Sequence, residues 1–241
     1  MKKKITLFLV IVLGVIGVGS GVWLSKSYAA CQLAQEALIT DDNITVENGD
    51  YISFTPKNKE VTKGYIFYPG GGVKAEAYAP ICRQIAEDGY EVVIAKMPLN
   101  LAVLSPNKAD EIIKDFDNID SWSIGGHSLG GVMASKYAST HKNIKALALY
   151  ASYPSGDELK DSNIEVVSIY GSKDGVVNKE NLDESKENLP DGSEFIEIKG
   201  GNHSQFGDYG LQNGDNKATI SGEKQFNYTA KYTTELLDKI K

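Results

Sequence analysis

The stretch SIGGHSLGGVMA at residues 123–134 surrounds one serine, Ser128, with four glycines. It joins a short apolar run at 121–127 to a segment at 129–140 whose apolar residues recur with helical spacing. A Gly-x-Ser-x-Gly pattern between a strand and a helix is typical of a strained turn that presents a serine oxygen as a nucleophile. Glycine suits the flanking positions because a Cβ there would clash with the adjoining strand or helix. The stretch therefore predicts a strand–turn–helix unit with Ser128 at its corner.

Strands and helices alternate around this unit, from residue 64 to the end of the chain. Two further strands precede them, at 44–56, with a turn at 48–50. The other predicted strands are 64–69, 90–95, 121–127, 144–152, 164–171 and 193–200. The predicted helices are 31–42, 75–88, 107–116, 129–140, 179–189 and 223–240. This order predicts an α/β fold with a mostly parallel sheet and helices on both faces.

Residues suited to catalysis follow the predicted strands, and the carboxyl ends of parallel strands meet at one edge of a sheet. The chain has three histidines. His127 should point away from Ser128, its neighbour on a tight turn, and His141 lies at the far end of the following helix, so His203 is the predicted base. Asp174 is the predicted carboxylate that orients it. The other aspartates between Ser128 and His203 are predicted surface residues or weaker alternatives: Asp157, Asp161, Asp183 and Asp191.

An acyl-transfer site also needs N–H donors for a developing oxyanion. The N–H of Leu129, directly after the serine, is one candidate. The second is expected from the glycine run at 70–72, either Gly71 or Gly72, and the sequence does not choose between them. Asn100 and Phe206 lie in segments that follow strand ends, so both are candidates for the walls of a substrate pocket.

Five motifs together resemble the α/β-hydrolases, in particular the short, lidless branch of dienelactone-hydrolase-like and carboxylesterase-like proteins. They are FYPGGGV (67–73), AYAPICRQIAEDGYEVVIAKMPLNLAVL (77–104), GGHSLGG (125–131), YGSKDGVV (170–177) and GGNHSQFGDYG (200–210). The resemblance implies an eight-stranded, mostly parallel sheet and a catalytic triad of Ser128, Asp174 and His203. Dienelactone hydrolases proper have a cysteine nucleophile, and the serine here favours ester or thioester chemistry. No large lid is expected, because only about 12 residues separate the strands on either side of the usual lid position.

These residues predict a serine hydrolase that cleaves a carboxylic ester or thioester of a small molecule through an acyl-enzyme, without a metal or an organic cofactor. Two alternatives remain open. The same triad could serve an acyltransferase or a peptidase. The chain could instead be a membrane-tethered binding module that keeps the fold without turnover.

Residues 1–30 differ from the rest of the chain. Three lysines at 2–4 precede 20 uncharged residues at 5–24, about 30 Å long as a helix and so about as long as a bilayer core is thick. The lysines favour an N-terminus in the cytoplasm. We expect an uncleaved anchor at 1–30 and one domain at 31–241 outside the cytoplasm, at the cell membrane. The alternative is a signal peptide cleaved near Ser27-Tyr28-Ala29 and a secreted protein.

The negative charge of the chain excludes some classes of binding partner. The formal net charge is −7, and four lysines with no acid among residues 1–30 leave −11 for residues 31–241. No basic patch is visible, so nucleic acid and anionic membrane surfaces are not expected partners. The two cysteines form no zinc-binding spacing, and Cys82 is expected to be a small buried hydrophobic residue.

Overall fold

The computed structural model describes residues 27–57 and 59–240. The predicted apolar run at 5–24 therefore lies outside the described residues, and of the predicted 1–30 segment only residues 27–30 are described. Among the helices that the structure describes, none combines the length and the apolar character that crossing a membrane requires.

Eight strands form one sheet with the spatial order β1-β2-β4-β3-β5-β6-β7-β8. Strand β2 pairs antiparallel with both β1 and β4, and every other neighbouring pair is parallel. The eight-stranded, mostly parallel sheet is confirmed. The strands are β1 (Ile44–Asn48), β2 (Tyr51–Pro56), β3 (Lys63–Tyr68), β4 (Glu91–Ala95), β5 (Ser121–His127), β6 (Ile144–Tyr150), β7 (Glu165–Gly171) and β8 (Glu194–Ile198).

The described helices follow the predicted order, and several are shorter than predicted. They are α1 (Gln32–Ala37), α2 (Ala79–Glu87), α3 (Lys108–Lys114), α4 (Leu129–Thr140), α5 (Lys179–Glu184) and α6 (Gly222–Asp238). The predicted helix 31–42 ends at Ala37, and the Asp41 carboxylate then accepts hydrogen bonds from the N–H groups of Asn43 and Ile44, both at 2.9 Å. This local turn leads the chain into β1. The predicted helix 75–88 begins as a separate 3₁₀ turn, Ala75–Tyr78.

The two faces of the sheet are buried under different helices, as predicted. Strand β3 shows the alternation: Tyr65 and Phe67 belong to the core under α2 and α6, and Ile66 and Tyr68 to the core under α3 and α4. Burying each such side chain contributes about 1.5–3 kcal/mol. Cys82 is buried in the first core, as predicted. Both faces of the sheet are therefore covered by helices, and the loops lie at the two ends of the strands.

The connection between β6 and β7 spans residues 151–164 and contains turns but no helix or strand. This connection is the usual position of a lid in α/β-hydrolases. The prediction that the fold has no large lid is confirmed, and the edge formed by the carboxyl ends of the strands is left uncovered on this side.

Candidate active site

Ser128 sits on a strained corner between β5 and α4. Its backbone angles are φ 50° and ψ −123°, a region that a residue with a side chain rarely adopts. The flanking glycines permit this turn: a Cβ at Gly126 would lie 2.6 Å from the carbonyl carbon of Gly130, and a Cβ at Gly130 would lie 2.1 Å from the carbonyl oxygen of Tyr68. The Ser128 N–H donates to the Tyr150 carbonyl at 2.9 Å. The predicted strand–turn–helix unit is therefore present.

His203 and Asp174 meet at the same sheet edge. His203 Nδ1 lies 2.8 Å from Asp174 Oδ2, and both side chains are buried. The other carboxylate oxygen, Oδ1, accepts the N–H groups of Val176 and Val177, both at 2.8 Å. Because Nδ1 faces the carboxylate, Nε2 is the ring nitrogen left for a second partner. Among the described residues His203 Nε2 is buried and has no hydrogen-bond partner, so no hydrogen bond joins it to Ser128 Oγ.

The other histidines and aspartates lie where the sequence placed them. His141 Nδ1 lies 2.8 Å from the Tyr137 carbonyl at the end of α4, so this nitrogen is engaged within its own helix end. The four alternative aspartates are all exposed: Asp157, Asp161, Asp183 and Asp191.

A carboxylate that the sequence analysis missed, Asp215, ties the two loops of the pair together. Its Oδ1 accepts the N–H of Gly175 at 3.0 Å, next to Asp174, and the N–H of His203 at 3.4 Å. Its Oδ2 accepts the N–H and the hydroxyl of Ser204 at 2.8 and 2.6 Å. One side chain thus sets the distance between the loop after β7 and the loop after β8. No spacing in the sequence marks it, because it lies in an irregular polar loop.

The glycine run after β3 contains one unengaged N–H among its three. The N–H of Gly70 donates to the Tyr78 hydroxyl, and that of Gly72 donates to the Asn100 carbonyl, both at 2.9 Å. Gly72 as an oxyanion donor is therefore wrong, since its hydrogen is already committed. Within the described part of the chain the Gly71 N–H has no acceptor. The N–H of Leu129 opens α4, and the first N–H groups of a helix have no partner inside it.

His127, predicted to point away from Ser128, is fully buried. Its Nδ1 lies 2.9 Å from the Tyr78 hydroxyl, which also accepts the Gly70 N–H. The hydroxyl can donate its own hydrogen to Nδ1 when the His127 tautomer carries its ring hydrogen on Nε2. Burial, and then the neighbouring His203, hold the pKa of His127 well below its usual 6.5. With ring centroids 4.4 Å apart, a neutral His127 packs against His203.

The two predicted wall residues have different outcomes. Phe206 is 0% exposed and packs against the rings of His127 and Tyr150, with centroids 5.6 and 5.7 Å away. Its prediction as a substrate contact is wrong, because it forms the floor beneath His127 and belongs to the core. Asn100 is half-buried beside the glycine run, and its Nδ2 donates to Ser27 Oγ at 2.6 Å.

Residues 27–31, the N-terminal strap, pack along the edge of the site. Tyr28 donates its N–H to the Gly72 carbonyl at 2.8 Å and accepts the Lys74 N–H at 3.0 Å, so it forms a parallel bridge with Val73. The Cys31 N–H donates to the Asp208 carbonyl at 2.8 Å. The last residues of the predicted 1–30 segment are therefore hydrogen-bonded to the domain predicted at 31–241.

The site offers acid–base chemistry, with no metal cluster among the residues that the structure describes. No group of three or more His, Cys, Asp and Glu side chains there is arranged to hold an ion. The arrangement combines a half-buried serine, a histidine–carboxylate pair and unengaged N–H groups at Gly71 and Leu129.

The chain resembles known proteins both in sequence profile and in fold. Residues 64–227 match the sequence profile of the Alpha/beta hydrolase family. The structure resembles Est1E from Butyrivibrio proteoclasticus with a TM-score of 0.61 and 14% identity, over 82% of this chain and 100% of that one. Est1E with ferulic acid bound gives 0.62 and 15%, over 83% and 99%. A CIB-like hydrolase from Thermoplasma acidophilum gives 0.61 and 14%, over 80% and 100%. No curated protein matches this chain in sequence. At these identities the likeness concerns the fold.

Proposed function

This chain belongs to the alpha/beta hydrolase family, and we propose that it is a serine hydrolase that cleaves a carboxylic ester or thioester through an acyl-enzyme. The observation that carries the proposal is the buried hydrogen bond of 2.8 Å between His203 Nδ1 and Asp174 Oδ2. It directs Nε2 away from the carboxylate, which is the orientation a general base needs. The strained backbone of Ser128 at the same sheet edge supports its role as the nucleophile.

In the proposed reaction His203 Nε2 removes the hydroxyl proton as Ser128 Oγ attacks the acyl carbonyl. Asp174 keeps the proton on Nδ1 and stabilises the imidazolium that forms. The N–H groups of Leu129 and Gly71 donate to the oxyanion. His203 then gives the proton to the leaving group and activates a water that releases the acyl group. Hydrogen bonds of this kind are often long without substrate and shorten when it binds, which accounts for the missing Ser128–His203 bond.

The chain is proposed to stay attached to the cell membrane through residues 5–24, with its domain outside the cytoplasm. The strap supports an uncleaved N-terminus. Cleavage after Ala29 would remove Tyr28, and with it the bridge to Val73 and the hydrogen bond from the Asn213 N–H to the Tyr28 hydroxyl. Mass spectrometry of the chain from a membrane fraction tests this; an N-terminus at Ala30 would contradict it.

The catalytic proposal is tested on the full chain in detergent with a fluorophosphonate, which labels activated serines. We expect one adduct on the wild type and none on Ser128→Ala. Ser139→Ala is the matched control, because Ser139 lies near the far end of α4, where its hydroxyl donates to the Lys136 carbonyl. Labelling of Ser128→Ala at the wild-type rate would refute the role of Ser128.

The same preparation separates hydrolysis from its alternatives. Esters and thioesters are assayed with and without alcohol or amine acceptors. Free acid as the main product supports a hydrolase. Acyl transfer to an acceptor, or cleavage of peptides in preference to esters, supports the alternative acyltransferase or peptidase. Failure to label or to turn over any substrate would favour a tethered binding module.

A further inference from the structure

Exposed apolar side chains gather at the sheet edge that carries the site. Among the described residues, eight large hydrophobic side chains are exposed, and six of them lie in the loops after β4, β7 and β8 or on α1, which is hydrogen-bonded to the loop after β8. Single exposed apolar residues are common on soluble proteins and need no explanation. Three of the six, however, share one short segment after β4. The six are Leu33, Leu99, Val103, Leu104, Val176 and Leu211.

We call residues 98–104 the rim turn; it consists of two short 3₁₀ turns. Leu99, Val103 and Leu104 are 57%, 49% and 52% exposed. No charged residue occurs from 97 to 107, in a chain of which 24% is charged. A segment that is both exposed and free of charge for this length is suited to an apolar or interfacial environment.

The rim turn directly borders the proposed oxyanion donors. The Asn100 carbonyl accepts the Gly72 N–H at 2.9 Å, and Leu101 Cδ2 would lie 3.7 Å from a Cβ placed on Gly71. Whatever contacts the exposed side of the rim turn is therefore next to the mouth of the site.

The rim turn is also held in a strained shape. Leu99 and Asn100 have φ values of 52° and 56°, two consecutive residues in a region that favours glycine. The backbone bond to Gly72 and the side-chain bond from Asn100 to Ser27 hold this shape. Strain of this kind persists where the surroundings enforce it and is concentrated at functional sites. In the rim turn, the strained backbone at Leu99 holds the side chain of that residue toward solvent.

The sequence before residue 27 indicates what contacts the exposed side of the rim turn. Ser27, which accepts the hydrogen bond from Asn100, follows the uncharged run 5–24 after only two intervening residues. Three residues of extended chain cover at most about 11 Å. If the run crosses a bilayer, the rim turn is tethered within that distance of the surface where the run leaves it. The domain's charge of −11 gives no attraction to anionic lipid, so the contact has to be apolar.

We propose that the rim turn rests on the surface of the bilayer that holds residues 5–24, and that the site consequently takes acyl esters carried in that membrane. The substrate half of this inference rests on the hydrolase function proposed above. The contact itself rests on the rim turn, on the tether and on the anchor proposed at 5–24, and not on the hydrolase function, so the two can fail separately.

The contact is tested with the full chain in phosphatidylcholine vesicles. An environment-sensitive fluorophore is attached at Val103→Cys in a Cys31→Ser background, in which the remaining Cys82 is buried. The control label is at Lys142→Cys, an exposed position at the other end of α4. We expect a blue-shifted emission, and quenching by lipids with a quencher near the headgroup, at 103 and not at 142. Equal exposure to water at both positions would overturn the contact. A label at 103 that is shielded but not quenched by lipid would also overturn it, in favour of a second copy of the chain.

The substrate half is tested with the triple variant Leu99→Asn, Val103→Ser and Leu104→Ser, after its thermal stability has been matched to the wild type. We expect hydrolysis of a long-chain ester in the vesicle to fall about tenfold, because apolar contact with lipid is lost. Hydrolysis of a water-soluble short-chain ester should not change. Equal rates on both esters for variant and wild type would overturn the membrane-substrate inference. Lipid quenching at 103 without hydrolysis of either ester would leave the contact standing and remove the hydrolase proposal.

Discussion

The two sides of Ser128 are held in different ways. On the acid–base side, the carboxylates of Asp174 and Asp215 accept hydrogen bonds from backbone N–H groups of the loops after β7 and β8. On the oxyanion side, the glycine run at 70–72 is held by backbone carbonyls, by the Tyr78 hydroxyl and by the N-terminal strap. Charge-assisted hydrogen bonds are roughly twice as strong as neutral ones. The acid–base side should therefore be the stiffer of the two, and the oxyanion side should depend on segments that come from elsewhere in the chain.

The largest loss of turnover is expected from Asp174→Asn. The amide can still accept the N–H groups of Val176 and Val177, but its NH₂ group would face His203 Nδ1 and favour the wrong tautomer. We expect kcat to fall by about 10³–10⁴ with little change in stability. Steady-state kinetics with a soluble ester measures this, and Asp183→Asn on the exposed face of α5 is the control. A loss below tenfold would mean that Asp174 does not orient His203.

A smaller loss is expected from Asp215→Asn, because Asp215 positions the loops and does not contact the reacting atoms. One amide oxygen would replace two acceptor oxygens that now serve Gly175, His203 and Ser204. We expect kcat to fall about 10–100-fold, the usual range for an altered outer partner.

Asp191→Asn, in an exposed turn, is the control for Asp215→Asn. A fall in thermal stability with an unchanged kcat would reduce Asp215 to a structural residue. That result would also remove the main difference between the two sides of the site.

The sequence predicts far more of the acid–base side than of the oxyanion side. The succession of strands and helices along the chain and the elbow follow from apolar runs and glycine spacing, which are local patterns. His203 could be chosen because only three histidines exist, and Asp174 because it directly follows a strand. Asp215 could not be found, since its partners are separated from it by an irregular loop whose shape depends on all of them together.

The choice between Gly71 and Gly72 shows why the oxyanion side resisted prediction. It depends on which carbonyl lies opposite, and that carbonyl belongs to Asn100 in a strained turn. The strap adds a second contact from a segment that the sequence assigned to the anchor. Phe206 was misjudged because a residue just after a catalytic histidine can face either the cavity or the core, and no periodicity distinguishes them.

A modest effect on turnover is expected from Tyr78→Phe. The change removes the hydroxyl that accepts the Gly70 N–H and bridges to His127, and leaves both groups buried without a partner. We expect the free energy of unfolding to fall by about 1–3 kcal/mol and kcat to fall several-fold as the glycine run loosens. Urea denaturation and steady-state kinetics measure the two effects.

Tyr65→Phe is the control for this change, since Tyr65 is equally buried and its hydroxyl donates to the Tyr150 hydroxyl, away from the glycine run at 70–72. If Tyr65→Phe and Tyr78→Phe lower kcat equally, the Tyr78 hydroxyl has no specific role on the oxyanion side.

No effect on turnover is expected from Glu91→Gln, which separates the stability of the fold from the geometry of the site. Glu91 begins β4, at the opposite edge of the sheet, where Thr55 Oγ1 donates to it at 3.0 Å. Burial raises the pKa of Glu91 from its usual 4.5 to about 7, with a smaller opposing effect from Thr55.

Because the folded state holds this proton more tightly than the unfolded state does, Glu91 makes the free energy of unfolding decrease as pH rises from about 4.5 to about 7. The penalty is absent below that range and complete above it, at about 3 kcal/mol. Glu91→Gln should therefore be more stable than the wild type at pH 8 and equally stable at pH 4, as measured by urea denaturation at the two values. Its kcat should match the wild type at pH 8. A variant that gained stability and lost turnover would show that the far end of β4 is coupled to the rim turn that follows it, and the oxyanion side would then depend on the sheet as well as on the strap.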